Sequence, residues 1–310
     1  MIAKIRRKIT WAWRDFLRVS LPPLSSGKGE VRVLCFHGIC RDDQAYINGR
    51  FLHLTAFRKL LILLRERTNI LSAEDFSTNN LSQDRLNVLL TFDDGYLNNL
   101  QLALPVLDEL RLPSVWFVTG RQDYLYMDLF DIAVDARLDL QGLKESMELP
   151  SASAKELKTA LVRAEQPKVE AATQWLAEAT ESVRDKYTVF WKLLEDEHLN
   201  GLANHPRVVI ANHTFEHLDL TTLTKEECIE ELKNCEARLK QFGLNAYQWV
   251  AVPYGNVNNR VLEYLEEQKY CSIFVNELTP DSCGKAVERL TVNPFISHIN
   301  QAYAIHNGSY

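Results

Sequence analysis

Short apolar runs rich in β-branched residues, separated by segments of helical period, constrain this chain most. Val31–Phe36 (VRVLCF), Arg85–Phe92, Ser114–Thr119 (SVWFVT), Val208–Ala211, Gln248–Val252, Tyr270–Val275 (YCSIFV) and Leu290–Val292 read as buried strands. Between them apolar residues recur at helical spacing: Phe57, Leu60, Leu61 and Leu64, then Leu97, Leu100, Leu104 and Leu107. Pro105 predicts a kink or a late start for the second of these helices. Thr224 and Glu227 form a capping box for a helix with Cys228, Leu232, Cys235, Leu239 and Phe242 on one stripe, and Val261, Leu262 and Leu265 mark another. Strands alternating with helices point to a parallel α/β fold. A doubly wound sheet and a barrel both fit that alternation.

Two stretches fall outside it. Residues 121–204 carry almost no strand signal, and Leu157, Ala160 and Leu161, then Val169, Ala172, Trp175, Leu176 and Ala179, lie on helical faces. They read as a helical insertion between two strands. Residues 1–28 read as an arm: Lys4, Arg6, Arg7 and Lys8 precede Trp11, Trp13, Phe16 and Leu17, and Pro22-Pro23 begins a linker. Such an arm is either a surface helix packed on the domain or, through residues 1–20, a basic aromatic helix on an anionic membrane surface. The tail after Phe295 has no period and reads as partly loose.

Composition narrows the class. With 310 residues and 46% hydrophobic content the chain can bury a sizeable core as one large domain. A net charge of −6 gives no basic footprint for nucleic acid. The six cysteines never form a C-x-x-C pair, so zinc-knuckle and redox signatures are absent and a reduced setting is favoured. With no apolar run long enough for a signal segment or membrane span, the expected location is cytoplasmic, with peripheral contact at the inner face of the membrane through residues 1–20.

Two polar constellations end apolar strands, at Thr91-Phe92-Asp93-Asp94-Gly95-Tyr96 and at Asn212-His213-Thr214-Phe215-Glu216-His217. In parallel α/β folds the strand C-termini form the reacting face. Alone, Asp-Asp-Gly also serves as a turn, and two His four apart also occur on the surface of one helical turn. Together they make a two-His, one-carboxylate set, with the imidazoles converging if 213–217 turns helically. The adjacent carboxylate is then free to act as a base. Asn212 reads either as a helix N-cap or as a second-sphere contact. Tyr96, Trp116 and Trp249 read chiefly as packing residues.

On these residues the chain resembles the polysaccharide deacetylase family, carbohydrate esterase family 4, also called the NodB-homology domain. Thr91–Tyr96 matches its T-F-D-D-G motif, His213–His217 its H-[ST]-x-x-H motif, and Pro253-Tyr254-Gly255 the P-[YW]-G that closes its third. His37-Gly38 resembles the strand-then-His start of many members. The resemblance implies a distorted (β/α) barrel over residues 29–310, carrying the helical insertion. It implies a hydrolase that removes an acetyl group from an amino sugar in a polysaccharide, glycolipid or lipid-linked saccharide, as in glycan biosynthesis. Asp94, His213 and His217 would bind a divalent metal, commonly zinc with cobalt or nickel as substitutes. Asp93 would be the general base and the Tyr254 backbone N–H the oxyanion donor.

Two departures stand out. Many members carry an Arg two residues before the Pro of the third motif, where this chain has Ala251; Arg121, Arg289 and Lys285 are candidate substitutes. The late L-x-H motif, whose His protonates the leaving amine, has no clear copy. His298 and His306 lie in that part of the chain, and His37 is a further candidate acid or substrate contact. These departures leave two alternatives open: a metal-binding relative that binds glycan without hydrolysing it, and an amidase acting on a non-sugar C–N bond.

Overall fold

The structure, a computed structural model, describes residues 10–15, 29–44, 49–278 and 284–309. The strands are β1 (Val31–Phe36), β2 (Gly38–Cys40), β3 (Phe51–His53), β4 (Asn69–Ile70), β5 (Asn87–Phe92), β6 (Ser114–Val118), β7 (Val208–Asn212), β8 (Trp249–Ala251), β9 (Ser272–Val275) and β10 (Ala286–Thr291). Among the described residues, seven strands pair in parallel in the order β1-β10-β9-β8-β7-β6-β5 and close where β1 pairs with β5, Val31 to Asn87 through Phe36 to Phe92. The result is a distorted (β/α) barrel; of the two architectures compatible with the strand–helix alternation, closure selects this one. Two-residue β4 pairs with the start of β5, and β2 and β3 form a separate parallel pair. These last three strands are too short to leave a sequence signal.

The apolar runs are continuous because both faces of the barrel wall are buried. Val33, Leu89, Val115, Phe117, Ala211, Trp249, Ala251 and Phe274 pack as one cluster, while the intervening Leu34, Phe36, Val88, Leu90, Phe92, Trp116 and Ile210 pack with helix residues such as Phe57, Leu61 and Leu107. By the two-residue period of a strand, the first set fills the barrel and the second faces the helices. Trp116 and Trp249 are therefore core residues, each 1% exposed. Pro105 sits in the first turn of the helix Leu104–Leu110, after a π-helical turn at Asn99–Ala103, so the regular helix does start late.

Between β6 and β7 the chain forms the helices Tyr126–Asp135, Gln141–Ser146, Ala154–Val162, Gln166–Thr180, Thr188–Trp191 and Asp196–Leu202. The apolar faces of the first five share a cluster with Val250, Val252 and Ile273, while Leu199 and Leu202 of the last pack with Val88 and Ile210 of the barrel wall. The tail is ordered rather than loose. Ser297 caps a helix at His298–Asn307, and Gly308, at φ 75°, terminates it. Its buried face is mostly small and polar (Asn300, Gln301, Ala302, Ala304), which hides the period. Helical residues 10–15 dock on it: Asn300 Nδ2 donates to the Trp11 carbonyl at 3.1 Å, and Arg14 lies 4.0 Å from the centre of the Tyr303 ring. The rest of the arm, including the basic cluster Lys4–Lys8, lies outside the described residues. Among the described residues no helix is long and apolar enough to cross a membrane.

Candidate metal centre

Parallel pairing brings the ends of β5, β7 and β8 together at one mouth of the barrel. Asp93 and Asp94 follow β5 directly, but the backbone changes hand between them. Asp93 N–H still donates to the Phe36 carbonyl at 2.9 Å, in register with β1, whereas Asp94 is left-handed at φ 70°. Gly95 continues the turn at φ 82°, and a Cβ there would stand 2.9 Å from Val118 Cγ1, so the last position of T-F-D-D-G must be glycine. The two carboxylates consequently point to different surroundings.

Asp94 Oδ1 lies 3.2 Å from His217 Nε2 and 3.3 Å from His213 Nε2. The ligand atoms of the three residues lie within 4.8 Å of one another. His213 Nδ1 is 2.8 Å from the Ala251 carbonyl, which can only accept, so Nδ1 carries the proton and Nε2 presents its lone pair to the site. Despite its two close imidazoles, the buried Asp94 Oδ1 has no hydrogen-bond partner. A buried carboxylate oxygen and an imidazole lone pair converging beside a second imidazole whose Nδ1 has no partner are unfavourable alone and fit a divalent cation. Burial alone would raise Asp94, but His213 and His217 pull it well below the usual carboxylate range. Burial lowers both imidazoles; Asp93 and Asp94 return His213 to above its ordinary value, while His217 ends below.

The imidazoles converge without a helix. Residues 213–217 form an irregular loop in which Thr214 (φ 64°) and His217 (φ 60°) are left-handed. Asn212 therefore caps no helix. It ends β7, accepts from Thr214 N–H at 2.8 Å, and donates to the Leu232 carbonyl and Tyr270 hydroxyl. Glu231 supports the loop from the capped helix Lys225–Lys240: its Oε2 accepts the N–H groups of Phe215 and Glu216 at 3.1 and 2.8 Å. Burial pushes Glu231 up to about 7. Glu231 was missed at the level of sequence; its one trace there is a carboxylate on the otherwise apolar Cys228–Leu232–Cys235 stripe.

Asp93 is held differently. Arg289, in β10, donates from Nη1 and Nη2 to Oδ1 and Oδ2 at 2.6 and 2.7 Å, and Cys35 Sγ donates to Oδ2 at 3.3 Å. Burial would raise Asp93, yet Arg289 and His213 leave it below the usual range. Of the three candidate cations, Arg289 thus takes the place vacated at Ala251. Arg121 instead pairs with Glu216 at 3.3 Å. His37 joins this side: its ring, Cys35 Sγ and an Asp93 oxygen lie within 4.8 Å of one another. His298 lies exposed at the start of the last helix.

Tyr254 completes the mouth, left-handed at φ 58° in the turn after β8, with its ring centre 4.9 Å from that of His217. Its hydroxyl is 2.6 Å from that of Tyr126, on the first insertion helix. Tyr96 does more than pack. Its hydroxyl donates to Asp128 on that helix, at 3.0 Å, and accepts from Arg50 at 3.0 Å. Arg50, Asp128 and Asp131 belong to no motif and were not legible in the sequence.

A parallel barrel with an Asp-His-His set and a second, Arg-bound carboxylate at its strand ends defines a hydrolase of the carbohydrate deacetylase class. The family model described as polysaccharide deacetylase matches residues 81–273, more than half of the chain, and the chain belongs to that family. Solved structures agree in fold. A Streptococcus pyogenes deacetylase, PplD, in complex with acetate is 18% identical with a TM-score of 0.58, the match covering 89% of this chain and 98% of that one. IcaB from Ammonifex degensii is 17% identical with a TM-score of 0.57, covering 89% and 97%. The polysaccharide deacetylase BC0361 from Bacillus cereus is 16% identical with a TM-score of 0.57, covering 89% and 69%. No curated protein matches the chain.

Proposed function

We propose that this protein is a divalent-metal-dependent N-deacetylase of an amino sugar in a polysaccharide, glycolipid or lipid-linked saccharide. The observation that carries the reading is the pair of adjacent carboxylates, one open towards two imidazoles and one locked by Arg289. Asp94, His213 and His217 would hold the metal; zinc suits two imidazoles and a carboxylate, and cobalt or nickel can substitute. A divalent metal bound there supplies Lewis acidity and lowers the pKa of water from 15.7 to about 7.

The remaining work falls to the chain. Asp93, kept ionised by Arg289, takes a proton from the attacking water. The Tyr254 backbone N–H donates to the developing oxyanion, in a turn whose geometry is fixed because Asn276 Nδ2 donates to the Tyr254 carbonyl at 2.8 Å. His37 gives a proton to the leaving nitrogen as the C–N bond breaks, and the products are acetate and a free amine. The contact of Arg289 with Asp93 and the place of His37 beside that carboxylate support the hydrolytic reading over a non-hydrolytic relative. That the S. pyogenes neighbour was obtained with acetate is in keeping with an acetyl substrate.

Contact of residues 1–20 with an anionic membrane surface belongs to the same reading. It is supported by the basic run in the sequence and by Trp13, which is 57% exposed. Removal of residues 1–20 should then abolish sedimentation with anionic vesicles.

The test of the activity is acetate release from short N-acetylglucosamine oligosaccharides and from acetylated glycolipids, with and without chelator. Release that stops on chelation and returns with zinc or cobalt supports the proposal. Release indifferent to exhaustive chelation, or confined to non-sugar amides, contradicts it.

A further inference from the structure

Asp94 offers one oxygen to the imidazoles, and what its other oxygen meets decides how it can coordinate. Arg50 Nη1 lies 3.5 Å from Asp94 Oδ2 and donates to the Tyr96 hydroxyl at 3.0 Å. Its Nη2 donates to Asp128 Oδ1 at 2.6 Å and to Asp131 Oδ2 at 3.3 Å. One planar fork thus spans the residues that follow β5 and the first helix of the insertion. The helix end is itself braced: Tyr96 donates to both Asp128 oxygens at 3.0 and 3.1 Å, and Lys158 of a second insertion helix pairs with Asp131. Asp128 is fully buried. Without Arg50, the guanidinium that the Asp94, Asp128 and Asp131 carboxylates share would be lost from a largely buried cluster.

We propose that Arg50 is a positioning residue of the metal centre. Clamped by Asp128 and Asp131 of the insertion, it engages Asp94 Oδ2 so that Oδ1 alone faces the two imidazoles. The inference rests on the reading of Asp94 as a ligand. It gives the insertion a second task beyond covering the barrel: it sets the geometry and affinity of the metal site from outside the ligand set. The fork matters as much as the charge, because lysine has no planar pair of nitrogens with which to reach Asp94, Tyr96, Asp128 and Asp131 together.

The test compares the full chain with Arg50→Met, Arg50→Lys, Asp128→Asn and Arg50→Met/Asp128→Asn. Zinc affinity is measured by chelator competition, and the visible spectrum of each cobalt form is recorded. Loss of such an outer partner typically costs about 10–100-fold in metal affinity. Arg50→Met and Arg50→Lys should both fall in that range, with an altered cobalt spectrum from a rearranged Asp94. Asp128→Asn should weaken binding less, and should add nothing in the Arg50→Met background, because both changes release the same clamp. Should Arg50→Met fail to fold by circular dichroism, Arg50→Lys and Asp128→Asn carry the same comparison. Affinities within twofold of wild type with unchanged cobalt spectra, or fully additive losses in the double variant, overturn the inference. A wild-type protein that binds no zinc or cobalt would instead overturn the functional reading beneath it.

Discussion

Asp93 and Asp94 are neighbours of the same residue type, both buried, and their surroundings are opposite. Asp93 continues the register of β5, and its oxygens are taken by Arg289 and Cys35. Asp94 turns left-handed, and its Oδ1 is left to two imidazoles with no hydrogen bond. One change of backbone hand is enough to divide the labour. A carboxylate already saturated by a guanidinium has little to offer a metal but stays ionised, as a base must. A carboxylate with an unmatched lone pair is a ligand. It follows that damage on the Asp93 side should reduce turnover and spare metal binding, whereas damage on the Asp94 side should weaken metal binding and lower turnover only through the lost metal.

The largest expected effect on the Asp93 side is that of Asp93→Asn. Loss of a general base costs roughly 10²–10⁴ in rate, so kcat should fall by that factor in steady-state assays while zinc affinity stays within a few-fold. Arg289→Met should come next, through two readouts. Breaking a buried pair by removing one partner destabilises by about 3–5 kcal/mol, visible in urea unfolding. Without Arg289, the upward push of burial on Asp93 is no longer offset, so its pKa rises. The acidic limb of the kcat/KM profile should then move to higher pH by about 1–3 units.

Glu231→Leu tests the opposite side. Two partly buried loop N–H groups lose their acceptor, and zinc affinity should drop about 10–100-fold under chelator competition, while the acidic limb stays in place. The smallest effect is expected of Cys35→Ala. It removes one weak donor from Asp93 and leaves Arg289 intact, so kcat should change less than about tenfold, well under the loss of a general base.

Much of this site was legible in the sequence because its ligands are local in the chain. Asp93-Asp94-Gly95 and His213-x-x-x-His217 each sit within one turn of backbone at the end of an apolar strand, where composition changes abruptly. Their convergence was legible too, although the assumption that a helical turn brings the two His together was not needed: Thr214 and His217 reach the geometry through left-handed backbone. The groups that tune the site were harder to see, because they are brought in by barrel closure or by the insertion. Arg289 comes 196 residues after Asp93, and pairing of β10 with β1 places it there. Arg50 and Asp128 are 78 residues apart and meet only when the insertion packs on the barrel mouth. The last helix was missed for a simpler reason, since its buried face is built mostly from Asn, Gln and Ala, with Ile305 as its one large apolar residue.

The division of labour between the two carboxylates is tested most directly by titrating zinc into wild type, Asp94→Ala and Asp93→Asn side by side, with direct calorimetric detection. One site in wild type, retained in Asp93→Asn and lost or weakened by far more than the roughly 10–100-fold of an outer partner in Asp94→Ala, is the predicted result. Equal loss in both variants would make the pair a shared ligand and contradict the account, as would full binding in Asp94→Ala.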